Sequence, residues 1–544
     1  MKNRSLTKWL PPFTVGFKSI FIVFLAVIFL VELVLHLRLQ MTTDGAFLHY
    51  VAYLINEHGF VPYRDIFEIN MPGTYLFHMS IGKFLGYSNL AYYLVSSVWI
   101  LLILGVTWLF MQNISKTVAL AACLFFGLIY LKIAPNYMAL QRDFILILPI
   151  ATAVFLVFKY QTSPLIHFLL GVLFAMAALV KPHAVIGLPV LIFFSLIQNE
   201  SKIVPKKIAF SFMLGGGFAL VGGLMTLALP FLWLWKIDAL ASFWAIFSSY
   251  TPLYAQMSGN FEFQESVGRI RYILDLYSGF GGYGSLLIAS ILGLYFILRY
   301  ATSIKTKKRA ILLLVLAFVY SLYAAIGSKL WLYHWMPFVY FASLSAALLF
   351  FSPPDKTYKQ LPYPKILPPL MFIGIVIMYL PIAHISQIKK NFTDITNIHE
   401  QIILHDQDVH VFSSPATNEI ITKTTQYLKQ HLEPHDKVQS LGMATGITQA
   451  MLFSKAVLAT PYIYDIQFYH HVSSDYIKQL RADFMQRLQQ KKPKFIIKVQ
   501  EGAPFKSKVS GIDVNYEFPE LAALIQRYYK KSYSGNGFTI FRKK

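Results

Sequence analysis

Charge is what this chain lacks. Only 14% of its 544 residues are Asp, Glu, Lys or Arg, against about 25% in an average soluble domain. That shortfall excludes an ordinary soluble enzyme, and it equally excludes an intrinsically disordered chain. Acids are the scarcer sign, 26 against 48 Lys and Arg, for a formal net charge of +22. Cysteine is nearly absent. The single Cys123 sits in an apolar run and has no partner for an intramolecular disulfide, so it says nothing about redox compartment. Several motifs are missing too. There is no Walker A loop for ATP-driven transport, no HExxH, and no GxSxG nucleophile elbow. No repeat of 20–50 residues is visible, nor a pair of Gly/Pro-broken helices in two halves.

Apolar residues are what is present: 56% hydrophobic and 16% aromatic, with a mean hydropathy of +0.52. A helix needs about 20 mostly apolar residues to cross a bilayer. Eleven such runs are read, at 17–37, 89–111, 117–132, 144–160, 164–180, 184–198, 208–232, 284–299, 309–327, 335–352 and 366–385. The pair within 164–198 is short enough to be re-entrant, broken at Lys181-Pro182. The first run is long and lacks a small-residue cleavage site, so it reads as an anchor. With the N-terminus inside, the inner segments carry 17 Lys and Arg against only Glu200 and Asp355. The positive-inside rule therefore predicts a cytoplasmic N-terminus and, with an odd number of spans, an outer C-terminus. The basic excess is then mostly an orientation signal and not a nucleic-acid footprint.

The expected fold class is a polytopic α-helical membrane protein of about 11 spans, residues 1–385, followed by an extracytoplasmic α/β domain, 386–544. The tail holds 21 basic and 14 acidic residues. Its patterning predicts helices at 417–431, 473–490 and 517–531, and strands at 437–441, 494–499 and 537–542. The block His405 to His410 contains an Asp-x-Asp, but a solvated polar stretch accounts for it better than a metal site. The pair His470-His471 is an equally weak metal signal.

Loops long enough to build a site occur only on the outer side: 38–88, 233–283 and the tail. In the first, Thr43 or Asp44 suits a helix N-cap. Phe47, Leu48, Val51, Leu54 and Ile55 follow at helical spacing, and Gly59 ends the run. This predicts an amphipathic helix lying on the membrane surface. Asn70 and Pro72 open a second helix, with Tyr75, Leu76 and Met79 on one face. Between them lies Tyr63-Arg64-Asp65-Ile66-Phe67-Glu68. The loop thus offers three carboxylates, Asp44, Asp65 and Glu68. The plain structural roles are an N-cap for Asp44 and surface pairing with Arg64 for the other two.

Asp44-Gly45-Ala46, then Gly59-Phe60-Val61-Pro62-Tyr63-Arg64-Asp65, then Glu68 and Pro72, resemble the first outer loop of the GT-C superfamily of integral-membrane glycosyltransferases. The similarity is greatest to the bacterial branch with the protein O-mannosyltransferases, the lipid A aminoarabinose transferase and the lipopolysaccharide-core transferases. Gln141-Arg142-Asp143, Lys181-Pro182 and Tyr333-His334-Trp335-Met336-Pro337 agree with that branch. The chain departs from it in having Gly45 where many relatives have Glu after the Asp. A second departure is Glu68 within Glu-Ile-Asn-Met-Pro.

The resemblance implies a polyprenyl-phosphate-linked sugar donor, an acceptor hydroxyl on a glycan, lipid or protein, and a bacterial inner (plasma) membrane with the active face periplasmic. It implies Asp44 as general base in an inverting transfer, with Glu68 and Asp65 orienting the acceptor, binding a metal or holding Arg64. Arg142, Lys181 and His334 would bind the donor phosphate. Plain alternatives stand beside these: Arg142 pairing with Asp143, Lys181 snorkelling, and His334 in an aromatic belt. Tyr63 and Arg64, with Tyr250 and Tyr254 from the loop at 233–283, would line the substrate. That loop also holds Phe261, Glu262, Phe263, Glu265 and Tyr272, and it suits a lid or a fixed cover. No cofactor is implied with certainty; a divalent metal is left open, with no ligand set assigned. Rival readings are an O-antigen polymerase or ligase type of enzyme, a lipid-linked sugar flippase or transporter, and a non-catalytic scaffold presenting the tail. A transporter would need ionisable groups within its spans, and Glu32 is the main one available.

Overall fold

The computed structural model describes residues 13–41, 43–133, 138–199, 204–257, 283–327, 331–351, 415–442, 446–499 and 512–544. The run at 366–385, the block at 405–410, and Phe261, Glu262, Phe263, Glu265 and Tyr272 lie outside the described residues.

Each of the other ten apolar runs is helical. The helices are α1 (Phe13–His36), α2 (Thr43–His58), α3 (Pro72–Leu85), α4 (Asn89–Met111), α5 (Lys116–Leu128), α6 (Arg142–Ile145), α7 (Ile147–Lys159) and α8 (Pro164–Ala178). They continue with α9 (Leu188–Ile197), α10 (Pro205–Lys236), α11 (Leu240–Ala245), α12 (Thr251–Gln256), α13 (Gly284–Tyr300), α14 (Ile304–Ile326) and α15 (Met336–Ala346). By length and composition four stretches suffice to cross a membrane: α4, α10, α14, and α15 with its flanking turns. Four shorter apolar helical stretches accompany them among the described residues.

The bundle is arranged around α15, whose residues are all buried. Thr107 of α4 and Tyr340 of α15 share a hydrogen bond of 2.7 Å inside it. The outer helices turn large apolar side chains outward. Val23, Phe24, Val27 and Leu30 on α1 are exposed, as are Phe210, Met213, Leu220, Leu229 and Trp235 on α10. Apolar area exposed on that scale marks a surface made for another apolar medium. Helices α8 and α10 approach until backbone meets backbone. A Cβ on Gly171 would overlap the Ala219 carbonyl, and one on Gly222 the Phe168 carbonyl. Small residues at three- and four-residue spacing allow that approach where no hydrophobic force drives helices together.

Inside the bundle Glu32 of α1 is paired with Lys132 at 2.8 Å, both nearly buried. The carboxylate singled out as a transport candidate is therefore neutralised by its neighbour.

Residues 415–544 form an α/β unit. It comprises α16 (Pro415–His431), β1 (Lys437–Leu441), α17 (Ile447–Phe453), β2 (Val457–Leu458), α18 (Asp475–Lys491), β3 (Phe495–Val499), α19 (Pro519–Tyr528), β4 (Tyr529–Gly535) and β5 (Phe538–Lys543). The sheet order is β2-β1-β3-β5-β4. The first three strands are parallel, and β5 and β4 are antiparallel. On α18, Ile477, Leu480, Phe484 and Leu488 recur at helical spacing and are all buried.

This unit sits on the 38–88 loop. Tyr50 Oη donates to the Ala456 carbonyl at 2.9 Å, the Phe67 amide to Pro461 O at 2.8 Å, and Gln449 Nε2 to Met41 O at 3.0 Å. The surface-lying amphipathic helix expected at 44–58 is corrected by these contacts. Helix α2 forms, and Gly59 ends it with φ +67. Its residues 45–54, however, are buried on every side, because the C-terminal unit covers the face the bundle leaves open.

Candidate active site

Asp44 lies in the first turn of α2, eight residues after α1 ends. Its position depends on Gly45: a Cβ there would overlap the Tyr92 hydroxyl, which donates to Ala139 O at 2.5 Å. The 139–141 segment leads straight to Gln141, whose Nε2 donates to Asp44 Oδ2 at 3.0 Å. Asp44 Oδ1 has no hydrogen-bond partner among the described residues.

Arg142 is the next residue, half-buried at the start of α6. It lies within electrostatic reach of Tyr333, Asp143, Asp44 and Glu68. Its guanidinium makes no ion pair or hydrogen bond among the described residues, and its Nε is buried without a partner there. The expected alternative of Arg142 pairing with Asp143 is not what forms. Asp143 is wholly buried and bound by Lys181, whose Nζ donates to both carboxylate oxygens at 2.8 Å. Tyr323 Oη adds a bond of 2.7 Å to Asp143 Oδ1. Lys181 is therefore not a snorkelling helix-end lysine: it is buried, over the rings of Tyr323 and Tyr333. His334 is buried as well, with Lys181, Asp143, Arg142 and His183 around it. His334 Nδ1 and His183 Nε2 are buried without partners. Each lies 3.5 Å from the point where Gly327 would carry a Cβ.

Glu68 enters from the first outer loop. Its Oε1 accepts from the Ile69 amide at 2.7 Å and from Asn70 Nδ2 at 2.8 Å. Burial pushes its carboxyl up to about 7, against the pull of those bonds and of Arg142. Tyr254 and Tyr464 each stand within reach of Asp44, Glu68 and Arg142, and Tyr464 is stacked on Phe47 at 4.3 Å. The cluster is thus two carboxylates and an unpartnered guanidinium, walled by tyrosines from four separate segments.

Asp44, Glu68, Arg142, Lys181, His334 and Tyr254 are brought together. Asp65 and Arg64 take other places, and Tyr63 and Tyr250 stand at the edge of the cluster, within electrostatic reach of Glu68. Asp65 closes a turn: its Oδ2 accepts from the Val61 amide at 2.9 Å, and Arg64 pairs with it at 3.1 Å on the exposed side. The surface pairing expected as its plain role is what forms. Tyr63 holds a left-handed φ of +66, rare outside glycine, anchored by Tyr63 Oη donating to Asn70 O at 2.7 Å. Tyr250 shares a hydrogen bond of 3.1 Å with His470 Nε2, and His470 meets His471 through their Nδ1 atoms at 2.8 Å. That histidine pair ties the 240–256 segment to the C-terminal unit. Among the described residues no three His, Cys, Asp or Glu side chains are grouped to hold a metal. With the Arg142 guanidinium within electrostatic reach of both Asp44 and Glu68, that pair is a poor fit for a divalent cation. Sequence reasoning quoted Gln141 without giving it a role and missed Tyr464 altogether. Nothing in the local pattern marks a tyrosine 420 positions beyond Asp44.

The helical bundle thus carries an acidic and basic cluster at one end and is capped by an α/β unit, and solved structures share this fold. Among solved structures the chain is similar to ArnT from Cupriavidus metallidurans bound to undecaprenyl phosphate. The TM-score is 0.56 at 12% identity, over 96% of this chain and 97% of that one. It also matches an Archaeoglobus fulgidus oligosaccharyltransferase in complex with zinc and sulfate, at 10% identity and a TM-score of 0.43, over 88% and 68% of the two chains. No protein-family model matches the chain, and no curated protein sequence does either.

Proposed function

We propose that this protein is an integral-membrane glycosyltransferase that moves a sugar from a polyprenyl-phosphate donor to an acceptor hydroxyl. The observation that carries the reading is Arg142: a half-buried guanidinium with no hydrogen bond or ion pair among the described residues, within electrostatic reach of Asp44 and Glu68. Removing a guanidinium from water is costly unless an anion or hydrogen-bond acceptor meets it. A lipid-linked phosphate is an anion that reaches the outer end of a bundle from within the membrane. The ArnT of the same fold was solved with undecaprenyl phosphate bound, which supports that choice of anion.

In this reading the acceptor oxygen attacks the anomeric carbon as the bond from that carbon to the phosphate oxygen breaks, with inversion. The acceptor proton passes to Asp44, whose Oδ1 is uncommitted while Gln141 fixes the other oxygen. The leaving phosphate keeps the bonding electrons. Arg142 takes up the added charge, with Lys181 and His334 beside it. Glu68 orients the acceptor. The orientation reading places the N-terminus in the cytoplasm, and the cluster and the 386–544 domain on the periplasmic face of a bacterial inner membrane. The paired state of Glu32 and Lys132 weighs against ion-coupled transport.

The test is binding of undecaprenyl phosphate to the purified full chain, read by thermal shift, with mass spectrometry of envelope glycans from a deletion strain to name the sugar and its carrier. Dose-dependent stabilisation and a lost glycan modification are expected. A chain indifferent to undecaprenyl phosphate would overturn the proposal.

A further inference from the structure

A second concavity lies just outside this cluster, between the first outer loop, the 240–246 helix and the C-terminal unit. It measures about 320 Å³, within the range of small-molecule sites and on the scale of a mono- or disaccharide.

One wall is a single face of α18. Tyr476, Gln479, Asp483 and Arg487 all line it, and their spacing of three, four and four places them in one stripe. The stripe runs beside the buried one at Ile477, Leu480, Phe484 and Leu488, so its backbone is fixed by the core of the unit. The facing wall holds Phe67 and Arg64.

The polar groups are set in place in advance. Tyr462 Oη donates to Asp483 Oδ2 at 2.8 Å, and Arg487 Nε donates to both Asp483 oxygens, at 2.9 and 2.8 Å. Arg487 spends only Nε on that contact, leaving its terminal N–H groups for a ligand. The Tyr476 ring has no aromatic partner, and its hydroxyl no hydrogen bond, among the described residues. It is half-buried and lines the cavity, so part of the side chain is open to a ligand.

Charge decides the ligand class. Arg487 is matched by Asp483, and Arg64 by Asp65 with Asp238 at 3.8 Å. Among the described lining residues neither guanidinium is left without a carboxylate, so none stands as an unpaired cation to select a phosphate or a carboxylate. An apolar ring face beside fixed, charge-balanced donors and acceptors suits a neutral polyhydroxylated ring: C–H groups lie on the tyrosine while the hydroxyls bridge Asp483, Arg487 and Gln479.

We propose that this crevice binds a neutral sugar residue of the acceptor, which makes the acceptor a glycan or glycolipid. The proposal rests on the glycosyltransferase reading and names its acceptor class. The crevice is joined to the reaction cluster through the chain itself. Phe67 lines the first and Glu68 belongs to the second. Tyr63 lines the crevice, and its hydroxyl holds the carbonyl of Asn70, whose side chain fixes Glu68. A sugar seated here holds the acceptor beside Glu68.

The test uses the full chain in detergent on an array of neutral hexose and N-acetylhexosamine oligosaccharides, with Tyr476→Ala, Tyr476→Phe and Asp483→Ala alongside. Binding is expected for the natural chain, to fall at least 10-fold with Tyr476→Ala and Asp483→Ala, and to persist with Tyr476→Phe, which keeps the ring. Hydrolysis of a polyprenyl-phosphate sugar to free sugar, without acceptor, is expected to be unchanged in all three variants and serves as the control for folding. Absence of glycan binding, or binding indifferent to Tyr476→Ala, overturns the crevice assignment while donor hydrolysis stands. Absence of donor hydrolysis in the natural chain instead overturns the function on which it rests.

Discussion

Gln141 Nε2 donates to Asp44 Oδ2 at 3.0 Å and leaves Oδ1 open. One amide thus fixes which carboxylate oxygen stays uncommitted. In the proposed reaction Asp44 is the general base, a role worth about 10²–10⁴ in rate. Asp44→Asn is expected to lower sugar transfer by that factor while undecaprenyl phosphate binding stays within about 3-fold, since Asn keeps the shape. Gln141→Ala frees the carboxylate to rotate and is expected to cost less, about 10-fold, in kcat and not in KM. Single-turnover transfer measured on both variants checks this; full activity in Asp44→Asn would remove the base assignment.

Arg142 makes its prediction through what it lacks. A guanidinium awaiting a phosphate offers two parallel N–H groups, and an ammonium offers a single point. Arg142→Lys is therefore expected to weaken undecaprenyl phosphate binding by about 10-fold and Arg142→Ala by about 100-fold, in keeping with about 1.5–3 kcal/mol for hydrogen bonds to charged groups. The unliganded Tm of Arg142→Ala should change little, because the guanidinium makes no hydrogen bond or ion pair among the described residues. Isothermal titration and a thermal scan separate the two effects.

The elements of the fold were legible where punctuation was strong. Thr43, Asp44 and Gly59 bound α2, and Pro72 opens α3 at its first turn. The expected strands 437–441, 494–499 and 537–542 fall on β1, β3 and β5 to within a residue. The helix expected to run to 531 instead ends at Tyr528, where Tyr529 starts β4. Gly537, with φ +79, turns that strand back along β5. Asn536-Gly537 is a hairpin signal that pointed to β4. Of the site, Asp44, Glu68, Arg142, Lys181 and His334 were legible because short motifs mark them. Tyr464 was not, since it reaches the cluster only when the C-terminal unit docks on α2. That docking also explains why an amphipathic pattern that reads as membrane-lying is buried in protein.

Gly45 explains the departure from the Asp-Glu pattern, because the space of a second side chain is filled by the Tyr92 hydroxyl. Gly45→Ala is expected to destabilise the chain by about 1–3 kcal/mol, the usual cost of overpacking. Tyr92→Phe in the same chain should recover part of that loss, since the nearest clashing atom is the hydroxyl oxygen. Thermal unfolding of the two single variants and the double variant measures the coupling. Additive effects would count against the contact.

Glu68 gives the chain a pH signature. Its carboxyl stands at about 7 in the folded protein because burial disfavours its charge, against an ordinary value of about 4.3–4.5. Between those values the folded state holds more protons than the unfolded one, so stability falls as pH rises through that window. At 1.36 kcal/mol per unit the full penalty, reached above about pH 7, is on the order of 3 kcal/mol. Glu68→Gln is expected to raise the Tm at pH 8 and to flatten its decline between pH 5 and 7. An anion bound by Arg142 would lift the Glu68 carboxyl further, so undecaprenyl phosphate binding should weaken as pH passes 7 in the natural chain and not in Glu68→Gln. Parallel profiles for the two proteins would show that Glu68 is ionised throughout.

Lys181 separates structure from function. Two of its three N–H groups are held by Asp143, and the third is left for a neighbour. Lys181→Met alone strands a buried carboxylate and is expected to cost about 3–5 kcal/mol. Removing both charges with Lys181→Met and Asp143→Leu should return most of that stability, because paired buried charges add little net stabilisation over apolar replacements. If the pair is only a strut, undecaprenyl phosphate binding returns with the stability. With the third N–H directed at the donor phosphate, the double variant folds at close to the natural Tm and still binds the lipid about 10-fold more weakly. The second outcome is the expected one, because Lys181, Arg142 and the unpartnered ring nitrogen of His334 lie together around one carboxylate that can satisfy only part of their donors.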